Sequence, residues 1–128
     1  MRLNAAFFAN HVDVVNDMLN VDGGFWKTTT VPPNSVRFRC CAVVLYDMDP
    51  DDVGQRFALH IDAEGPLGHR QTPAHSTEFS VDAPSMFLCF TSLVLPIEPG
   101  GGRHVYSFRL AGQQEQVDVP LAVRVSRS

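Results

Sequence analysis

His104-Val105-Tyr106-Ser107-Phe108-Arg109-Leu110 decides the fold class. His104, Tyr106, Phe108 and Leu110 form one set, and Arg103, Val105, Ser107 and Arg109 form the other. Successive side chains of a strand project to opposite faces, so this period of two predicts a strand with one face in a core and one in water. The same period recurs outward in both directions. Val119, Leu121, Val123 and Val125 alternate with Pro120, Ala122, Arg124 and Ser126. Phe57, Leu59 and Ile61 alternate with Arg56, Ala58, His60 and Asp62. At the start, Leu3, Ala5, Phe7 and Ala9 alternate with Arg2, Asn4, Ala6 and Phe8, which predicts Phe8 on the outward face. Cys41 to Tyr46 and Met86 to Leu95 are apolar on both faces and read as central strands.

Turn residues punctuate these runs at Pro32-Pro33-Asn34-Ser35, Asp49-Pro50-Asp51-Asp52, Gly65-Pro66-Leu67-Gly68, Asp82-Ala83-Pro84 and Pro99-Gly100-Gly101-Gly102. About eight strands so separated predict an all-β chain, a single antiparallel β-sandwich of the immunoglobulin-like or jelly-roll-like kind, over residues 1–128. At most a short helical turn is expected near residues 11–18, where Val12, Val15 and Leu19 fall at helical spacing. Gly23-Gly24 reads as a bulge in the second strand.

Composition removes whole classes of partner. The chain has 128 residues, 10 Lys+Arg against 14 Asp+Glu, and a formal charge of -4. Lys27 is the single lysine, and the arginines are scattered, so no basic stripe exists to bind a nucleic acid. No apolar run reaches the roughly 20 residues of a membrane-spanning helix, so no membrane partner is expected. Cys40, Cys41 and Cys89 are odd in number and sit among apolar neighbours, and adjacent Cys40 and Cys41 point to opposite faces. Reduced, buried thiols are expected, and with them a cytoplasmic location.

Phe8-Ala9-Asn10-His11, followed by Asn16-Asp17-Met18-Leu19-Asn20-Val21-Asp22-Gly23-Gly24-Phe25, resembles the start of an uncharacterised family of bacterial proteins of similar length. Its members carry an Asp-Gly-Lys-Leu-Asn segment leading to Gly-Gly-Phe. They close on a Tyr/Phe-x-Phe strand and a Val-Pro-Leu-x-Val strand, matched here by Tyr106-Ser107-Phe108 and Val119-Pro120-Leu121-Ala122-Val123. The sequence departs from the pattern at Asn10-His11 and at Asp17-Met18, where a tight Gly turn stands in the family. The resemblance implies an all-β fold and supplies no activity.

Four constellations bear on chemistry. Asp47-Met48-Asp49-Pro50-Asp51-Asp52 spaces carboxylates as a calcium loop does, but Asp52 stands where the sharp turn needs Gly, so a solvated turn is expected. Pro99, Gly101 and His104 match the Pro-x-Gly-x-x-His spacing of a cupin's late strand, although the earlier His-x-His of that pattern is missing. A divalent metal would then draw on His75, Glu78 and His104. No nucleophile elbow or phosphate loop exists, and Cys89 sits mid-strand among Phe87, Leu88 and Phe90, where burial keeps a thiol inert. Of adjacent Phe25 and Trp26, one should point outward. If Trp26 is the outward one, it and Phe8 are the expected anchors of a contact with a protein partner or a second copy; the alternatives are that Trp26 covers an open end of the sandwich and that Phe8 lies under the Asn10 to Met18 segment. The function expected is a non-catalytic cytoplasmic interaction or assembly module without a cofactor, self-associating through an edge strand. The alternative is a metal- or small-molecule-binding jelly roll.

Overall fold

In the computed structural model, which describes residues 1–127, nine strands form two packed sheets. The strands are β1 Arg2–Val15, β2 Met18–Gly24, β3 Thr28–Val31, β4 Arg37–Asp47, β5 Arg56–Glu64, β6 Arg70–Ser80, β7 Phe87–Pro96, β8 Gly102–Leu110 and β9 Gln116–Val125. One sheet has the order β2-β1-β4-β7, and the other β3-β9-β8-β5-β6. Ser128 lies outside the described residues. The architecture is the expected β-sandwich, with one parallel pair, β3 on β9. Met86 to Leu95 does not form a central strand: β7 is the edge of its sheet, paired only with β4.

The core between the sheets is built from the set the alternation marks. Leu59, Ile61, Tyr106, Phe108, Leu121 and Val123 are buried there, with Phe57 and Phe90 packed against them. Two bulges determine what joins them from the four-stranded sheet. In β1 the pairing with β4 shifts by one residue between Leu3 and Ala5. Leu3 pairs with Tyr46 and faces the core, but past the shift the inward residues are Ala6 and Phe8. The expected phase is therefore reversed. Phe8 is fully buried, its ring 5.6 Å from Tyr106, 6.0 Å from Phe38 and 6.1 Å from Phe108. In β7 the register with β4 shifts across exposed Thr91 and Ser92, so Leu88 and Phe90 on one side and Leu93 and Leu95 on the other all face inward.

The expected helical turn near residues 11–18 is a β-hairpin. Val15 pairs with Met18, leaving Asn16 and Asp17 as a two-residue loop with φ of +52° and +60°. Positive φ at both positions is what a type I′ hairpin turn requires, and Asn and Asp tolerate it. The helical spacing of Val12, Val15 and Leu19 is incidental. Gly23 does not make a bulge either, because the β1–β2 register runs unshifted from Ala9↔Gly24 to Val15↔Met18. Its φ is +60°, and the space a Cβ would need is filled by the Asn10 side chain.

The hairpin does more than extend the sheet. β1 pairs with β4 only as far as Ala9, and beyond it only with β2. Val12 and Leu19 of this two-stranded arm pack with Phe7, Val43, Leu45, Phe87 and Cys89 in a second cluster, separate from the inter-sheet core. By alternation with Phe8, Ala42 and Val44, that cluster lies on the outward face of the four-stranded sheet. Val14 and Phe87 line one concavity, and Phe87's partner Leu45 stands opposite Ala5. The arm therefore bends back across the sheet and covers its apolar outer face.

Cys40 faces the inter-sheet core and Cys41 the outer cluster, as adjacent strand residues must, and all three cysteines are free. Burial, and then the neighbouring Cys41, push the Cys40 thiol up to about 12.

Two outcomes follow from these placements. Replacing Asp17 by Gly relieves positive φ in the arm's turn, and Asp17→Gly should raise stability by about 0.5 kcal/mol, read as a higher urea midpoint. The Cys40 thiol is raised in the folded state, so its contribution is intact below the unfolded thiol's value of about 8.5 and is lost as pH climbs towards the folded one. Stability should fall above about pH 9 by up to about 1.4 kcal/mol per unit from this group. Urea titrations at a series of alkaline pH values should show a flatter decline in Cys40→Ala.

Candidate functional site

The three expected metal ligands are not brought together. His75 stands opposite Ile61 on β5, which in turn stands opposite Phe108 on β8, four residues along from His104. Glu78 lies further the other way, opposite Ala58, and on the other face of β6 from His75. There it meets Arg56 at 3.2 Å in solvent. His75 hydrogen-bonds Thr77 at 2.7 Å and sets its ring edge-on to Phe90. Among the described residues no group of three His, Cys, Asp or Glu side chains is placed to hold a metal ion.

His104 has another task. It is buried, its ring stacked parallel to Tyr106 at 6.2 Å. Its Nε2 accepts the Glu98 backbone N–H at 3.0 Å, and Nδ1 lies 3.0 Å from the Gly102 carbonyl. Both contacts are satisfied by the neutral ring with its proton on Nδ1, which leaves no lone pair for a metal. The Pro99–His104 spacing thus marks a histidine that ties down the β7–β8 turn. The Glu98 side chain fastens the next loop. Its Oε2 accepts the Leu67 N–H at 3.1 Å, and exposed His69 lies 3.2 Å from Oε1. Gly65 leaves room for this carboxylate, which a Cβ would strike. The cavity these groups share with Pro96 and Pro99 is about 220 Å³, below the roughly 300 Å³ at which ligand clefts usually begin.

The acidic loop is a capped turn. Pro50–Asp52 forms a single 3₁₀ turn, and the Asp52 carboxylate accepts the Asp49 N–H at 2.8 Å and the Met1 amine at 2.6 Å. The Met1 amine, then the Asp49 N–H, hold the Asp52 carboxyl below the usual carboxylate range.

The expected interface residues are also relocated. Phe8 is inside the core and cannot anchor a partner. Trp26 is half-buried against the core, 6.3 Å from Phe8, and its indole N–H donates to the Gly23 carbonyl at 2.9 Å. The outward member of the pair is Phe25, 69% exposed, with its ring stacked on Phe7 at 4.1 Å. Phe25 has φ of +60°, a conformation that a bulky side chain adopts only against resistance.

A larger concavity lies where the folded-back arm meets the loop before β7. It is about 510 Å³ and is lined by Val14, Asp17, Val81, Pro84, Met86 and Phe87, with Ala83 and Ser85. Met86 is 74% exposed beside it, and Met18 at the arm's tip is 66% exposed. The loop is held from behind, where Tyr46 N–H donates to the Met86 carbonyl at 2.9 Å and Gly54 N–H to the Val81 carbonyl at 2.8 Å. That second bond sets the acidic loop beside it. The chain matches no protein-family model and no curated protein sequence.

The sequence missed the cleft because Val14 and Met86 are distant in the chain, and only the bend of the arm brings them together. The one available signal was the pair of unshielded methionines flanking turn residues, Met18 and Met86.

His104→Leu should take away the acceptor of the Glu98 N–H and the ring partner of the Gly102 carbonyl in a part-buried turn, leaving that backbone unpaired. It should lower unfolding free energy by about 2–4 kcal/mol, measured by chemical denaturation.

Proposed function

We propose that the protein is a non-catalytic protein-interaction module that docks a partner in the cleft between the β1–β2 arm and the Val81–Met86 loop. One observation carries the reading: exposed apolar side chains from two remote segments, Val14 and Met86, converge on a single concave surface. Monomeric proteins seldom leave such groups gathered without a use. Methionine suits the role because its flexible, polarisable chain adapts to varied apolar shapes. The outer face of the other sheet offers a contrast. There Arg109 binds Asp62 at 2.8 and 3.2 Å, and Ser107 and Gln116 hydrogen-bond Asp118. Those polar groups are satisfied among themselves. The reduced thiols fit a cytoplasmic setting for such a module.

A selection of displayed random peptides on the immobilised protein tests the reading. Enriched peptides should bind the wild type and lose at least about tenfold in affinity on Val14→Asp/Met86→Asp, a difference of about 1.4 kcal/mol. Enrichment of no peptide, or only of peptides indifferent to both changes, would remove the cleft as a docking site.

A further inference from the structure

We infer that the cleft's partner is a cationic amphipathic segment of another protein, one apolar face lined by Lys or Arg. The inference rests on the docking reading above and adds the partner's chemistry. Val14, Val81, Met86 and Phe87 supply the apolar part of the cleft's lining, and Asp17 lines it as well. Around it the sequence places acids and almost no counter-charge. From Leu3 to Trp26 no Lys or Arg occurs, and Asp17 is the acid of this segment that lines the cleft, whereas Asp13 alternates with Val12 and Val14, Asp22 stands opposite His11, and both project from the arm's other face. From Gln71 to Gly102 no Lys or Arg occurs either, and Asp82 adjoins the lining residues Val81 and Ala83. The neighbouring loop, joined to this one through the Gly54–Val81 bond, contributes Asp47, Asp49 and Asp51. The cations near these loops are already paired: Arg2 lies 4.0 Å from Asp47, the Met1 amine 2.6 Å from Asp52, and Arg56, opposite Ser80 on β6, 3.2 Å from Glu78.

Charge decides between occupants. Two copies meeting cleft to cleft would set these acids against each other, and like charges disfavour that contact. An acidic segment meets the same penalty, and an anionic lipid surface is repelled for the same reason. A neutral apolar segment would cover the apolar lining and leave the acids uncompensated. A basic amphipathic segment matches both parts: its apolar side chains take the methionine-flanked lining, and its cations speed encounter and fix orientation at the acids. The cleft's volume accommodates a few side chains, the scale of anchors presented by one helix face or one extended segment.

Fluorescence anisotropy with three labelled synthetic peptides on the full chain tests this. The first is a Leu/Lys amphipathic peptide, the second is the same apolar pattern with Glu for Lys, and the third carries the same Lys content with Ser for Leu. The Leu/Lys peptide should bind at least about tenfold more tightly than either other. Its affinity should drop several-fold between about 0.05 M and about 0.5 M salt. Asp17→Asn/Asp82→Asn should weaken it without loss of the folded circular dichroism spectrum, and Met86→Asp should weaken it through the apolar lining. Equal binding of the Ser/Lys peptide would mean charge alone and overturn the proposal. Tight binding of the Leu/Glu peptide, lost in Met86→Asp, would overturn the cationic partner while leaving the docking cleft standing. Sedimentation showing a dimer abolished by Met86→Asp would make a second copy the occupant. Binding of none of the peptides, with a monomeric protein, would overturn this proposal, and the display selection above would then decide the docking reading separately.

Discussion

Phe8 holds the two sheets in their relation. Its ring meets Tyr106 and Phe108 from one sheet and Phe38 from its own, with Trp26 closing over the side. Aromatic rings at these separations and tilts add favourable edge contacts to a large burial of apolar area. The position depends on a single extra residue in β1. Without the bulge after Leu3, the strand would turn Phe7 inward and Phe8 to the outer face, and β1 would present its larger apolar set to a different layer. The bulge thus decides which of two adjacent phenylalanines builds the inter-sheet core and which builds the outer cluster beneath the arm.

The sequence makes the architecture readable and the site almost opaque. Periods of two over β5, β8 and β9 mark buried faces correctly, because these strands run without a register shift across those residues. The same rule fails on β1, since a bulge resets the phase and an alternation of small and aromatic residues reads equally well in either phase. It fails again at residues 11–18, where apolar spacing matched a helix by coincidence and the deciding factor was two left-handed residues at Asn16 and Asp17. Met86 to Leu95 looked central because it is apolar on both faces. In the fold that composition serves an edge strand whose outward side, at Phe87 and Cys89, lies beneath the arm.

Site residues were hidden for a related reason. His104 carries a spacing suggestive of a ligand, yet a strand-end histidine between two backbone groups has the same local sequence. Only the Glu98 N–H and Gly102 carbonyl distinguish the two. The cleft depends on the course of the arm after Ala9, where β1 parts from β4, and no local pattern reports how far a hairpin swings once it leaves its sheet. What the sequence did carry was charge: the absence of Lys and Arg from two long segments, Leu3–Trp26 and Gln71–Gly102, is visible without coordinates, and it acquires meaning when the fold brings parts of both to one cleft.

The parallel pairing of β3 with β9 has a consequence for how the molecule can be assembled. Thr28 to Val31 lies beside Ala122 to Val125, so the edge of the five-stranded sheet joins segments from opposite ends of the fold. During synthesis, β3 emerges early and waits, its hydrogen-bonding edge unmatched, until β9 has left the ribosome. Neighbouring β8 and β9 can form a hairpin locally, but β3 adds to it only by closing a loop that spans most of the chain, a slow step because of its entropy. In the interval the short polar run Thr28-Thr29-Thr30 is a poor template for stray strands, since its small hydroxyl side chains give another chain little to bury.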